Sequence, residues 1–119
     1  MPHSPQDVHK KVLGKKGETL AEKYLKKQGY KILFKNYKTP LGEADIVAEK
    51  EEYVVFVEVK TRTGDGYGTP AESVTKAKQA RYKKIAAYYV SALKEDVCVR
   101  FDAVEVFADG KIEHLENAF

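Results

Sequence analysis

The chain has a single cysteine, Cys98, among its 119 residues. A lone thiol in a strand-like segment excludes a disulfide framework and a thiol-rich zinc site. Histidine is scarce as well: His3, His9 and His114 have neither zinc-ligand spacing nor a nucleophile beside them. No serine or cysteine sits in a nucleophile elbow. Long apolar runs are missing: nothing approaches membrane-spanning length, and the lysine-rich first thirty residues hold no apolar signal core. The expected setting is the cytoplasm. Gly64, Gly66 and Gly68 have the wrong spacing for a dinucleotide fingerprint, and no helix opens directly after them. They read as a mobile loop at the mouth of a site, in which Tyr67 either stacks on a base or tucks onto the surface. Repeats, linkers and low-complexity tracts are absent, so residues 1–119 are expected to form one domain.

What the chain does have is charge, unevenly placed. Residues 1–41 carry ten lysines against three acids, and residues 61–93 carry six basic residues against two acids. Between them, residues 42–60 carry six acids against two lysines. An acidic centre between basic segments suits a polyanion held near a metal, whereas solvated helix faces account for most lysines taken singly.

Periodicity gives the element order. Val8, Val12, Leu13, Gly17, Leu20, Ala21, Tyr24 and Leu25 recur at helical spacing, predicting a helix over about 7–28 that Gly29 ends. "YKILFKNY", "EADIVAEK" and "YVVFVEVK" predict three strands, the last two joined by the acidic turn Lys50-Glu51-Glu52. A second helix is expected from about Thr75 to Leu93, then a strand at "VCVRFDAVEVF" and a short hairpin strand near "KIEHL". The order is αβββαβ with a terminal strand. The right-handed crossover rule sets the fourth strand parallel to the third, which makes an α/β protein with a mixed sheet flanked by helices.

The third strand carries an anomaly. Alternation puts Val54, Phe56, Glu58 and Lys60 on one face and Val55, Val57 and Val59 on the other. On the second strand Glu43, Asp45 and Val47 share a face, and Ala44, Ile46 and Ala48 share the opposite one. A two-residue hairpin loop pairing Glu49 with Glu52 sets Glu43 opposite Glu58; a four-residue loop sets Asp45 opposite Glu58. Both registers put Asp45 on the face of Glu58 and Lys60. Two acids facing across a ladder repel. A divalent cation between Asp45 and Glu58 satisfies both, and magnesium suits the position because it takes one or two carboxylates and keeps several waters. Lys60 beside it can orient water and stabilise developing charge. An ordinary Glu–Lys pair on a solvated strand end explains the same spacing.

Asp45 followed, after twelve residues, by Glu58-Val59-Lys60 resembles the PD-(D/E)-x-K motif of the restriction-endonuclease-like nucleases. "GKKGETLAEKYLKKQGYKILFKNY", "GEADIVA", "FVEVKTR", "YGTPAESVTKAKQ", "RFDAVEV" and the terminal "NAF" resemble the bacterial YraN family, distantly similar to archaeal Holliday-junction resolvases. The resemblance implies a restriction-endonuclease-like fold and a Mg2+-dependent nuclease, with Mn2+ as substitute, hydrolysing phosphodiesters of branched or structured DNA. It implies Asp45 and Glu58 as metal ligands and Lys60 as the catalytic lysine. It also implies the Val59 carbonyl in the metal shell and Glu18 as a first-helix acid near the metal. Similar enzymes leave a 5′-phosphate and a 3′-hydroxyl. Two departures stand out. Ala44 occupies the place of the motif proline, and four residues after Gln79, where some such nucleases carry tyrosine, stands Lys83, with Tyr82 one residue early.

For DNA contact the expected residues are Arg62 as a phosphate clamp and some of Lys76, Lys78, Arg81, Lys83 and Lys84, with Gln79 either at a phosphate or in the first helical turn. Symmetric cutting of branched DNA calls for two sites, hence an expected homodimer. A binding module without catalysis, or an interaction protein on the same fold, is the other reading.

Overall fold

The computed structural model describes residues 5–62 and 74–119, with side chains from residue 15 onward; the loop glycines and Tyr67 lie outside the described residues. The elements are α1 (Pro5–Lys27), β1 (Lys31–Thr39), β2 (Gly42–Lys50), β3 (Tyr53–Arg62), α2 (Lys76–Leu93), β4 (Cys98–Phe107) and β5 (Ile112–Leu115). The strands form one sheet in the order β1-β2-β3-β4-β5. Its pairs are antiparallel except β3 with β4, which α2 connects as a parallel crossover. This is the expected αβββαβ core with a C-terminal hairpin strand.

Helix ends follow local chemistry. Gly29, at φ +92°, turns the chain out of α1. The Gly29 N–H then reaches the Lys26 carbonyl at 3.1 Å and the Tyr30 N–H reaches the Leu25 carbonyl at 3.0 Å. These are the paired bonds of a Schellman end, and the accompanying apolar contact is Tyr30 with Leu25, both in the core. At the start of α2, the Thr75 hydroxyl caps the Lys78 N–H at 3.1 Å.

The sheet is buried on both faces. Ala21 and Leu25 of α1 pack with Tyr30, Ile46, Ala48, Val55, Val57, Val104 and Val106. Tyr82, Ile85 and Ala86 of α2 pack with Ala44, Val47, Val54 and Phe56. Strand β3 alternates as predicted, with Val54 and Phe56 toward α2 and Val55 and Val57 toward α1. Strand β2 does not. Ala44 packs with Val47 beneath α2, while Ile46 and Ala48 face α1, so the expectation that Ala44 shares a face with Ile46 is corrected.

The cause is a break in pairing. The hairpin loop has two residues, Glu51 and Glu52, and Lys50 pairs with Tyr53, which gives the second of the two expected registers, with Asp45 in line with Glu58. The ladder then runs only to Ile46–Val57. The next pair in that register would be Asp45 with Glu58. There the strands part, and the Asp45 side chain takes the place of a backbone rung.

The end of the chain is fastened by a buried carboxylate. Asp102 Oδ1 accepts from Arg100 Nε at 2.9 Å and from the Asn117 N–H at 3.0 Å, and Oδ2 meets Arg100 Nη2 at 2.9 Å and His114 Nε2 at 2.7 Å. Arg100 Nη2 also donates to the Tyr30 hydroxyl at 2.6 Å, and the Tyr24 hydroxyl meets His114 Nδ1 at 3.1 Å. Phe119 stacks on Phe101 with centroids 5.3 Å apart and packs edge-on to Tyr82 at 5.7 Å. Phe119 is therefore part of the floor under α2.

Candidate active site

The site is built where β2 and β3 part. Asp45 Oδ2 accepts the Val59 backbone N–H at 2.8 Å, crossing the gap that the missing rung leaves. A strand residue directs its N–H and C=O to the same neighbour. The Val59 carbonyl thus faces the same gap as Asp45.

Glu58, only 5% exposed, points from β3 toward α2. Its two oxygens are held one helical turn apart. Lys78 Nζ lies 2.6 Å from Oε1, and the Tyr82 hydroxyl donates to Oε2 at 2.6 Å. The same hydroxyl accepts the Asp45 backbone N–H at 3.1 Å. Tyr82 therefore bridges the two strands at the position where their own ladder lapses.

The Asp45 and Glu58 carboxyl groups are neighbours, close enough for the charge of one to act on the other. Burial pushes the Asp45 carboxyl up to about 8, the Glu58 and Glu18 charges add to this, and the Val59 N–H opposes it. Burial first, and then the Asp45 and Glu58 charges, hold the Tyr82 phenol far above the ordinary tyrosine value, so it stays a donor.

Glu18 reaches the site from α1. A Cβ at Gly17 would fall 2.1 Å from Thr61 Oγ1, so only glycine lets the helix rest directly on β3 just past Lys60. Glu18 and Asp45 line a cleft of about 270 Å³ with Lys15, Thr19, Lys35, Asn36 and Ile46. With its amide nitrogen turned toward the acids, Asn36 donates to Glu18 Oε1 at 2.8 Å and to Glu43 Oε1 at 3.1 Å. Burial raises the Glu18 carboxyl, as do the Glu43 and Glu58 charges, against the pull of Lys15 and Lys35. Asp45 thus lies between two compartments, with the Glu18 cleft on the α1 side and Glu58 on the α2 side.

Lys60 lies two residues beyond Glu58 on β3, half-buried, with Glu105 of β4 as its neighbour across the parallel ladder. Its partner is not Glu58, whose oxygens are taken by Lys78 and Tyr82. Arg62 forms a tight ion pair from Nε to Oε1 of the fully buried Glu105, whose Oε2 has no hydrogen-bond partner among the described residues. Gln79 Nε2 donates to the Val74 carbonyl at 3.0 Å and thereby fastens the entry to α2. Lys76, Arg81, Lys83 and Lys84 are exposed on α2, the stem of Arg81 lying against Gly42.

Among the described residues, no three His, Cys, Asp or Glu side chains form a ready-made cage for a metal ion. The oxygens at hand are two crowded carboxylates and one strand carbonyl. That set fits a hard dication that keeps most of its water, as magnesium does, and offers no nitrogen or sulfur for zinc.

A family model described as "Uncharacterised protein family UPF0102" matches residues 17–106. The chain belongs to UPF0102. A UPF0102 protein of Thermodesulfovibrio yellowstonii is 52% identical over 107 residues, spanning 90% of this chain and 95% of that one. A UPF0102 protein of Caldicellulosiruptor saccharolyticus is 44% identical over 118 residues, spanning 94% of this chain and all of its own length. One from Geobacter metallireducens is 45% identical over 116 residues, with 94% and 95% spanned. The UPF0102 match contains Glu18, Asp45, Glu58, Lys60, Lys78 and Tyr82, whereas His114 and Asn117 of the Asp102 network lie beyond it.

Proposed function

We propose that this protein is a metal-dependent endonuclease of the restriction-endonuclease-like superfamily, acting on branched or otherwise structured DNA. One observation carries the reading. Two carboxylates, Asp45 and Glu58, are buried side by side at the parted end of β2 and β3, with the Val59 carbonyl facing the same gap. Repulsion and desolvation make that arrangement costly unless a cation compensates it.

Asp45, Glu58 and the Val59 carbonyl would hold Mg2+, or Mn2+ in its place, with Glu18 reaching it from the α1 side. A bound dication supplies Lewis-acid activation of water and of the scissile phosphate. Lys60 donates to the attacked phosphate or to the attacking water, where charge grows in the transition state. Lys76 and Arg81 on α2 supply phosphate contacts without reading bases, as do Arg62 through its remaining nitrogens and Gln79. Two such sites in a cytoplasmic homodimer would cut both strands symmetrically, and light scattering at micromolar concentration measures that state.

The deciding experiment is cleavage of a panel of duplexes, forks and four-way junctions with Mg2+, Mn2+ or EDTA. Cutting is expected with either cation and none with EDTA. Glu58, saturated by Lys78 and Tyr82, favours a second reading, a nucleic-acid-binding module. Junction binding without cleavage under any metal would select it.

Cation binding has its own readout. At a concentration ten times Kd, Mg2+ or Mn2+ stabilises the fold by about 1.4 kcal/mol. For a chain of this size that raises Tm by about 5 °C. Asp45→Asn is expected to remove most of the rise, and an equal rise in that variant would place the ion elsewhere.

A further inference from the structure

The two groups that hold Glu58 are of very different permanence. Tyr82 is 1% exposed, receives the Asp45 N–H and packs edge-on against Phe119, so its hydroxyl cannot leave Oε2 without opening the core. Lys78 sits in the first turn of α2 with 35% of its side chain exposed, and holds Oε1 through a flexible four-carbon stem. An ammonium 2.6 Å from a carboxylate oxygen competes with a dication for that oxygen and repels it.

We infer that Lys78 is a displaceable counter-ion of the Asp45–Glu58 pair, holding Glu58 Oε1 until a divalent cation takes it and setting the concentration at which the site loads. This rests on the metal-site reading above. The physical reason is the cost of two neighbouring buried acids. Glu58 is an ionised acid with little access to water, and Lys78 compensates its charge in the metal-free chain. A cation that approaches Oε1 meets the positive charge of Lys78, so the lysine weakens its apparent affinity. Once displaced, Nζ remains at the edge of the site on its stem, where a DNA phosphate can satisfy it. Cation and DNA should therefore bind cooperatively, each removing part of the other's cost.

The test is Mn2+ binding to the full chain, followed by calorimetry and by thermal shift, without DNA. Lys78→Met is expected to bind Mn2+ about tenfold more tightly than the wild type. Lys78→Arg, which keeps the charge, should stay within about threefold of wild type, and Tyr82→Phe should bind no more tightly. If Lys78→Met is unfolded without metal and Mn2+ restores it, the inference is equally supported, because the cation then does what Lys78 did. Equal or weaker affinity in a folded Lys78→Met overturns it while leaving the metal site standing. Wild type that binds no Mn2+, or binds it no better than Asp45→Asn, overturns the metal-site reading and this inference with it.

Discussion

Lys60→Ala is expected to lose about a hundredfold or more in the rate of strand cleavage while keeping its fold, its cation and its affinity for DNA. The geometry separates this outcome from that of an ordinary surface pair. Had Lys60 been the counter-charge of Glu58, its loss would have been felt in stability. Glu58 is instead held by Lys78 and Tyr82, so truncating Lys60 removes no charge partner from the buried acids. Lys60 is half-buried at the end of β3, with its main-chain neighbour on β4 at Glu105. A cation there that acts only as charge develops lowers the barrier without tightening the ground state. The loss should accordingly appear in kcat, with KM for a junction substrate little changed. Single-turnover cleavage, read beside a binding titration of the same variant, distinguishes the possibilities. Cleavage within threefold of wild type, or cleavage and DNA binding lost together, would remove Lys60 from the chemistry.

Much of this arrangement can be read from residue patterns, and what cannot has a common physical origin. Apolar spacing predicts both helices and all five strands to within a few residues, because burial on one side of an element leaves its period in the sequence. Glu58 and Lys60 stand out for the same reason, as polar residues where the period calls for apolar ones. The turn of β2 at Ala44–Ile46 leaves no such trace. It arises from a tertiary bond, the Asp45 carboxylate taking the Val59 N–H, which competes with the strand ladder. Tyr82 falls one residue early for the tyrosine expected after Gln79, yet three and four residues along a helix share a face. Its signal is a phenol on an apolar stripe, where its hydroxyl requires a partner. Lys78 looks like any other lysine of α2, and only the approach of α2 to β3 distinguishes it. Cys98 and the three histidines suggest no site, and His114 indeed serves a structural carboxylate.

That carboxylate supports the second large expectation: Asp102→Asn should cost roughly 3–5 kcal/mol at neutral pH, because removing one partner of a buried ion pair strands the other. Arg100 would lose its bidentate partner, and His114 and the Asn117 N–H would lose an ionised acceptor. The pH dependence separates this charge from that of Asp45. Burial alone would raise the Asp102 carboxyl, but hydrogen bonds from His114, Arg100 and Asn117 outweigh it and hold the group below its ordinary value. A depressed folded pKa gives stability that is fully present above the unfolded value near 3.9 and is lost as pH falls through the folded one. Asp45 acts in the opposite sense. Its carboxyl is raised to about 8, so in the metal-free chain its contribution is present below the unfolded value and is lost as pH rises through 8. Denaturant melts in EDTA from pH 4 to pH 9 should therefore move the two variants apart. Asp102→Asn should be destabilised at neutral pH and lose part of the acid limb of the wild-type curve. Asp45→Asn should flatten the alkaline decline and become more stable than wild type near pH 9, where the wild type carries a buried, ionised Asp45. An Asp102→Asn cost below about 1 kcal/mol would mean that Arg100 and His114 find water in its place, and that the C-terminal strand is held by its ladder to β4 and by packing.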